Sequence, residues 1–474
     1  MRLTDSLAST KLMLHHTRPA YLLTILLGVG LAMIAVPLCN AQRRHPGVKP
    51  KVAKPSRAGR ATISLDGTWK FALDTDRKGE ASEWPKSPPT ITKDINVPSL
   101  WDSVGSTAPH YTGTAWYWRT IALPDDWKGQ TIRLQLHAVA ESCTVWMNGE
   151  RLGAHSDGTV PFEFTVTKTA KIGAENLVAL EVRGDAVHGS GIWQDVELVA
   201  HDEAYISDVG VQGDQYGRIL ADLSLLNSST VTGDAEIDCK VSATTQPGDV
   251  VAKSLQNLRL TPGANVTQFF ATIRKQDLHL WSPETPILYR YQLIFRQETD
   301  NLDTETIDIG CRGIGWNVKT AAVVLNGEDL KLSSVRLKGG AYTAISLAEE
   351  DKILDMLNNY KSAGTNLIYV EAANPVLLRL ADKAGVMIVE GPRSGLTPAE
   401  RDDEMRNLIR RDRNHPSIIG WEPGACSLDI VRDLVIADST RFLIVTDSAS
   451  KVALWAPGKI APDPGPLPTG VYPR

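Results

Sequence analysis

Alternation between apolar and polar residues dominates the first two thirds of the chain. Between residues 61 and 201, short runs such as GTAWYWRTIAL, TIRLQLHAV and NLVALEVRG are separated by Gly, Pro, Asn and Asp, without a helical period. A period of two indicates strands with one buried face. We therefore predict an antiparallel β-sandwich over residues 61–201, with inward-facing side chains at Trp116, Trp118, Ile132, Leu134, Leu136, Val145 and Met147.

A second region of the same character extends over residues 202–318. It contains the runs GRILADLSLLN, TGDAEIDCKVSA and LYRYQLIFRQ. About seven strands in roughly 100 residues are typical of an immunoglobulin-like sandwich. The sequence therefore predicts two β domains in succession, the second of them immunoglobulin-like.

The pattern changes after residue 319, where apolar runs alternate with amphipathic segments. TPAERDDEMRNLIRRDRNHP has the helical period, and Thr397, Pro398 and Glu400 form its start signal. Five strands alternating with helices predict parallel βα units over residues 319–450. Because eight strands in about 250 residues are needed to close a TIM-type barrel, we expect an incomplete (β/α) barrel. The proline-rich residues 451–474 are expected to form an unstructured tail.

The N-terminal segment has the pattern of an export signal. Lys11 and Arg18 precede an apolar run over residues 20–39, and the small residues Cys39 and Ala41 suit cleavage after Ala41. The run is also long enough to remain as a membrane anchor. In both cases we expect the rest of the chain to lie outside the cytoplasm. It is then periplasmic or extracellular, or it is anchored to the membrane by residues 20–39. Residues 42–60 are basic and form a linker.

Composition and short motifs argue against several classes of partner and cofactor. The net charge is −5 and no basic block is interleaved with aromatic residues, so nucleic acid is not an expected partner. Cys143, Cys239, Cys311 and Cys426 are too few for a disulfide framework, although Cys239 and Cys311 lie in one domain and either pair or remain free. The sequence has no CxxC, HExxH or glycine-rich phosphate loop, so neither a metal nor another cofactor is expected.

Several dispersed motifs point to a known family. They include LDGTWKFALD, VPSLWD, YTGTAWYWRTIALPDDWKG and GSGIWQDVELV in the first domain, and LWSPETPILYRYQLIF followed by DIGCRGI in the second. In this order they resemble glycoside hydrolase family 2, the β-galactosidase, β-glucuronidase and β-mannosidase group. The resemblance runs from about Ser64 to Asp447. It implies a sugar-binding sandwich, an immunoglobulin-like domain and a barrel that carries two catalytic carboxyl groups.

The resemblance fails where the chemistry is expected. The family's acid/base is the Glu of an Asn-Glu pair after the fourth barrel strand, and here Ala425 and Cys426 occupy the two positions. The polar family stretches after the first and second strands are replaced by residues 340–343 and 369–373, and the strand expected to carry the nucleophile is not present. The weak substitutes are Glu422, Glu371 and Glu390, all at strand ends. Glu422 lies about 13 Å along the strand from position 426.

The resulting expectation is an exported, catalytically inactive family 2 homologue that binds a carbohydrate or a protein partner. Asp185, His188 and Trp193 are the candidate sugar contacts, with packing as the competing role of Trp193. The alternatives are an active exo-β-glycosidase and the product of a decaying gene. Open barrel edges at residues 335–339 and 442–446 favour a homodimer or a protein partner. Membrane contact is expected only if the N-terminal segment is retained.

Overall fold

The computed structural model describes residues 59–101, 108, 111–156, 158, 160–184, 190–245, 248–337, 350–426, 428–446 and 452–455. All of them belong to one compact unit, residues 54–474. The predicted signal or anchor, most of the basic linker, Asp185, His188 and residues 340–343 lie outside the described residues. No helix within the described ranges combines the length and the apolar character that crossing a bilayer requires.

Two antiparallel sheets form the first part of the chain. The smaller consists, in spatial order, of β1 (Ala61–Ser64), β12 (Val196–His201), β6 (Thr131–Leu136) and β9 (Phe162–Thr165). The larger consists of β3 (Lys93–Val97), β2 (Gly67–Leu73), β5 (Gly113–Ala122), β10 (Glu175–Gly184), β7 (Ser142–Met147) and β8 (Glu150–His155). A two-stranded ribbon of β4 (Ser99–Leu100) and β11 (Gly191–Ile192) and a 3₁₀ turn (Asp125–Trp127) complete it.

The core between these sheets confirms most of the predicted inward positions. Ile132, Leu134, Leu136, Val145 and Met147 are all buried in one apolar cluster. Ile132, Leu134 and Leu136 alternate with more exposed residues along β6, as the period of two requires. On β7 the residue between Val145 and Met147, Trp146, is itself buried in a different cluster.

The prediction was wrong for two tryptophans of β5. Ala115 and Tyr117 face the core between the sheets, whereas Trp116 and Trp118 lie on the opposite face with Trp146 and Ala179. They are nevertheless buried, because Trp84 packs against them from outside the sheet. The indole N–H of Trp116 donates to Asp74 at 3.0 Å, and that of Trp118 donates to the carbonyl of Trp84 at 2.8 Å. This cluster of four tryptophans is therefore a second, smaller core.

Two further antiparallel sheets follow. One contains β13 (Ala204–Gly213), β14 (Arg218–Asn227) and β17 (Gly263–Thr272), and the other contains β16 (Val250–Leu260), β15 (Gly233–Ala243), β18 (Tyr289–Gln297) and β19 (Asp300–Ile309). They enclose a common apolar core that includes Cys239 and Cys311. Both cysteines are free thiols, as are Cys143 and Cys426, so the open question of pairing resolves to free thiols.

The last part combines a parallel sheet with helices. Three short strands, β20 (Ile314–Asn317), β21 (Ala322–Leu325) and β22 (Glu328–Asp329), lead into it. The parallel strands follow in chain order as β23 (Ser334–Arg336), β24 (Leu367–Glu371), β25 (Met387–Gly391), β26 (Ile418–Gly424) and β27 (Phe442–Thr446). The helices are α1 (Glu350–Ser362), α2 (Pro375–Ala384), α3 (Pro398–Asp412) and α4 (Leu428–Ala437). The capping box predicted at Thr397 and Glu400 is present at the start of α3.

One strand extends into the segment that was expected to be a tail. β28 (Val452–Trp455) pairs antiparallel with β27 over four residue pairs. The expectation that residues 442–446 form an open edge was therefore wrong, because β28 supplies the backbone partners of that strand. A run of apolar residues this short is not distinguishable from a loop by its pattern.

Candidate functional site

Five charged side chains surround a cavity of about 250 Å³ at the edge where the parallel strands end. Arg336 ends β23, Glu371 ends β24 and Glu422 lies near the end of β26. Arg393 follows β25, and Arg401 reaches the cavity from α3. Because the carboxyl ends of parallel strands meet at one edge, residues far apart in the sequence converge here.

The two faces of the parallel sheet separate the three candidate carboxylates. On β24, Leu367 and Tyr369 belong to a cluster on the face away from the helices, whereas Ile368 and Val370 pack against the helices. Alternation places Glu371 on the face of Tyr369, where it lines the cavity. On β25 the same alternation places Glu390 on the opposite, helix-covered face. Glu390 is therefore excluded as the partner carboxylate of Glu371 or Glu422.

Glu390 is fully buried among polar groups from α3. Its Oε1 accepts from the backbone N–H of Ala373 at 2.7 Å and lies 3.5 Å from Nη2 of Arg411. Burial and the nearby carboxylate of Asp412 raise the pKa of Glu390 well above its usual range, against the opposing effect of Arg411. Burial thus favours the protonated form of Glu390, and its contacts join β25 to α3.

We expect Glu390→Gln to change the pH dependence of stability. An acid whose pKa is raised by folding stabilises the native state fully below its unfolded pKa, and this contribution is lost as the pH rises through the folded pKa. Gln at position 390 keeps the neutral form at every pH. Between pH 5 and 8, the urea midpoint of wild type should therefore fall relative to that of Glu390→Gln. Glu328→Gln, on an exposed strand, is the control, and parallel curves for wild type and Glu390→Gln would contradict this assignment.

Glu422 is tied to an arginine from a distant strand. Its carboxylate lies 2.8 Å from Nη2 of Arg336, whose guanidinium also covers the ring of Tyr369 at 4.6 Å. Burial raises the pKa of Glu422, the Arg336 cation opposes this effect, and Glu371 adds to it. Two strands separate β23 from β26, so a flat sheet would hold their Cα atoms about 14 Å apart. The ion pair therefore links two strands that are not neighbours in the sheet.

Glu371 and Glu422 approach the cavity from either side of Gly391. A Cβ at position 391 would lie 2.5 Å from the carbonyl oxygen of Glu422, so only glycine fits between them. Glu371 accepts from the backbone N–H of Ser394 at 3.1 Å. Both carboxylates thus already have donors within the protein.

Cys426 does not reach the cavity. Its side chain is partly buried and packs against the apolar cluster under the helices. Burial raises the pKa of the thiol to about 11, with the nearby carboxylate of Asp402 adding to the shift and Arg401 opposing it. The preceding residue, Ala425, is exposed. At neutral pH this position holds a neutral thiol directed towards the helices.

Comparison with known proteins identifies the family. The description "Glycosyl hydrolases family 2, sugar binding domain" fits residues 62–227, and "Glycosyl hydrolases family 2" fits residues 204–312. The chain belongs to glycoside hydrolase family 2. The resemblance seen in the sequence is therefore confirmed. That Cys426 occupies the family's acid/base position stays a prediction.

Curated relatives of this family are longer than the chain. A β-glucuronidase of Paenibacillus borealis is 23% identical over 416 residues, which cover 75% of this chain and 66% of that protein. A β-galactosidase of Oenococcus oeni is 26% identical over 425 residues, which cover 76% of this chain and 40% of that protein. The chain thus spans from two fifths to just under two thirds of the length of these relatives.

Solved structures of family members share the fold. The β-glucuronidase of Bacteroides uniformis superposes with a TM-score of 0.68 at 21% identity, covering 81% of this chain and 52% of that one. A family 2 member from Bacteroides cellulosilyticus gives a TM-score of 0.70 at 22% identity, covering 81% of this chain and 57% of that one. These likenesses support a multidomain, β-rich family 2 fold.

Trp193 is packed rather than open. It is 7% exposed and contacts the buried residues Leu100, Ala138 and Ala140. Its indole N–H donates to the carbonyl oxygen of Gly158 at 2.9 Å. A sugar reaches this indole only if its surroundings open, and sugar binding by Trp193, Asp185 and His188 stays a prediction.

Sequence reasoning missed the three arginines of the cavity. Arg393 binds the buried Glu404 through Nε and Nη2, at about 3.0 Å. A Cβ at Gly158, on the first domain, would lie 3.4 Å from Nη1 of Arg393, so the sandwich approaches the cavity there. The position of Arg336 at a strand end could have indicated that it lies at the cavity, whereas nothing in the sequence around Arg401, within a helix, could have done so.

Within the described ranges, no three potential metal ligands converge.

Proposed function

We propose that this family 2 member does not hydrolyse glycosides and instead binds a carbohydrate or a protein partner. The observation that carries the proposal is Cys426. A retaining glycosidase needs a carboxylic acid to protonate the leaving oxygen, and a thiol with a pKa of about 11 is a far weaker acid. Since this thiol packs under the helices, it is also badly placed for proton transfer.

The same proposal includes the finer architecture. The parallel sheet with its helices is proposed to be part of a (β/α) barrel, and residues 202–318 an immunoglobulin-like domain. The chain-order strand sequence from β23 to β27 and the Arg336–Glu422 ion pair support the first, and the paired sheets of three and four strands support the second. Export through residues 1–41, or anchoring by residues 20–39, and association through the β23 edge belong to the proposal as well.

One observation favours an active exo-β-glycosidase as the second candidate. Glu422 is half-buried with a raised pKa and has a second carboxylate, Glu371, nearby, and such pairs perform acid and base chemistry in glycosidases. Against it, Glu422 is held in an ion pair with Arg336. The two residues also lie on strands separated by β25, with Cα atoms about 10 Å apart.

Hydrolysis assays on the purified chain decide between these candidates. We expect no turnover of aryl β-glucuronides, β-galactosides, β-glucosides or β-mannosides above background, since loss of the general acid alone costs about 10²- to 10⁴-fold in rate. Glu422→Gln should change nothing. Activity that survives repurification and disappears in Glu422→Gln would support the second candidate. We also expect Ala425→Asn combined with Cys426→Glu to remain inactive, because the Arg336–Glu422 pair still occupies the cavity.

A further inference from the structure

A second cavity, of about 400 Å³, lies at the opposite edge of the parallel sheet. Residues 414–416 and 440–441, which precede β26 and β27, form one wall, and β14 and β17 of the preceding domain form the other. Its volume is within the range of small-molecule sites. The cavity is remote in the sheet from Glu371 and Glu422, so what it does is independent of the proposed function.

Arg312 lines this cavity and is short of hydrogen-bond partners. The residue is only 8% exposed, and its Nη2 donates to the carbonyl oxygen of Ile418 at 2.6 Å. Its Nε is buried without a partner among the described residues. A guanidinium has five N–H donors, and each buried donor without an acceptor destabilises the protein. Arg312 therefore presents unused donors beside an open cavity.

Charge around Arg312 is also unbalanced. Arg441, 6% exposed, lies nearby and already uses its donors on Asp438, on the carbonyl of Ile418 and on the carbonyls of Arg413 and His415. No described carboxylate forms an ion pair with Arg312. Burial and then the Arg441 cation lower the pKa of Arg312. The buried carboxylates Asp438 and Asp382 oppose this effect, but Asp438 pairs with Arg441 and Asp382 with His415. Arg312 is therefore a buried cation without an ion pair of its own, which is costly.

Part of the remaining wall of the cavity is apolar, beside the polar residues Gln212, Asp214, Arg218 and Thr272. Leu220 and Phe270, which are paired across β14 and β17, contribute aliphatic and aromatic surface, and Phe270 is 63% exposed. Water entering the cavity would satisfy donors of Arg312 but would leave this apolar surface wet and the charge uncompensated. An anion with an apolar body would pair with the Arg312 cation and also cover the apolar surface.

We propose that this cavity binds a small organic acid, with its carboxylate on Arg312 and its apolar body against Leu220 and Phe270. Arginine donors match a carboxylate in geometry and charge. Arg218, at the rim, already pairs with Asp214 at 2.6 Å, which leaves Arg312 as the anion's partner.

Titration of the full chain with benzoate, followed by calorimetry, tests this proposal. Benzyl alcohol serves as the neutral match and inorganic phosphate as the anion without an apolar body. We expect saturable benzoate binding that is at least about 10-fold tighter than that of either comparison compound, since a hydrogen bond to a charged group contributes about one to two powers of ten in affinity. Absence of saturable benzoate binding, equal binding of benzyl alcohol or equal binding of phosphate each overturns the proposal.

Variants locate the site. Arg312→Met replaces an uncompensated buried charge by an apolar group of similar length, so we expect an unfolding midpoint in the absence of benzoate that is no lower than that of wild type. Benzoate affinity should fall by at least about 10-fold. Arg290→Met is the matched control, because Arg290 is exposed and pairs with Asp308 in the same domain. Unchanged affinity in Arg312→Met, or an equal loss in Arg290→Met, contradicts the assignment.

A second variant covers the case in which Arg312→Met fails to fold. Phe270→Glu changes an exposed wall residue and places a negative charge beside the proposed carboxylate. We expect benzoate affinity to fall by about 10-fold or more, at an unchanged unfolding midpoint. Benzoate binding equal to that of wild type would overturn the proposed location.

Discussion

Asp438→Ala should lower the free energy of unfolding by about 3 to 5 kcal/mol, because it leaves buried cations without a counter-ion. Asp438 is 3% exposed and accepts from the indole N–H of Trp421 at 3.0 Å, from the backbone and hydroxyl of Thr440, and from Arg441. Without it, Arg441 would lose its ion-pair partner beside Arg312, which has none of its own.

Urea unfolding of the variant at neutral pH measures this effect. Asp433→Ala is the control from the preceding helix α4, since Asp433 is 58% exposed and pairs with Arg406 at the surface, a kind of pair that contributes about 0 to 1 kcal/mol. Burial alone would raise the pKa of Asp438, but Arg441 and the hydrogen bonds lower it. Its contribution is therefore present above the unfolded pKa and lost as the pH falls through the folded one. Similar losses in the two variants at neutral pH would show that the buried network is not what stabilises this region.

Trp116→Ala should lower the free energy of unfolding by about 3 to 5 kcal/mol, because it opens a large cavity in the second core of the sandwich. The Trp116 ring is fully buried, stacks on Trp146 with centroids 4.8 Å apart, and lies 6.1 Å from Trp118. It also holds Asp74 by the indole N–H, so its removal leaves a buried carboxylate with one donor fewer.

Trp316→Ala is the matched control for Trp116→Ala. Trp316 is only half-buried on β20, so truncation should cost clearly less than at position 116 in the same urea titration. A loss for Trp116→Ala no greater than that for Trp316→Ala would mean that the four tryptophans form no separate core.

Local signals were sufficient for much of the fold. Period-two alternation predicted the strands of both β regions, and it selected Ile132, Leu134 and Val145 correctly as core. The start signal at Thr397 and Glu400 predicted the beginning of α3, since capping depends only on residues within one turn. The strand-end positions of Glu371 and Glu422 likewise followed from the pattern, and both line the cavity.

The phase of a strand is harder to read when both of its faces are apolar. In the run AWYW of β5 every side chain is large or apolar, so alternation does not tell which tryptophans face the first core. The answer depends on Trp84, which covers the other face and lies about 30 residues earlier. Glu390 is a similar case, because a buried parallel strand such as VMIVEG is apolar on both faces, and only α3 shows which face Glu390 takes.

The sequence by itself thus determined the type of most elements and the family, and it predicts a thiol at the family's acid position. Only the tertiary structure decided which face each carboxylate occupies, that Arg336 closes onto Glu422, and that Arg312 is buried without a counter-ion beside a second cavity. The physical reason is the separation along the chain of the residues that interact. Periodicity and capping are set by neighbours a few residues away, whereas burial, ion pairing and cavities depend on contacts such as Arg312 with Ile418, which are 106 residues apart in the chain.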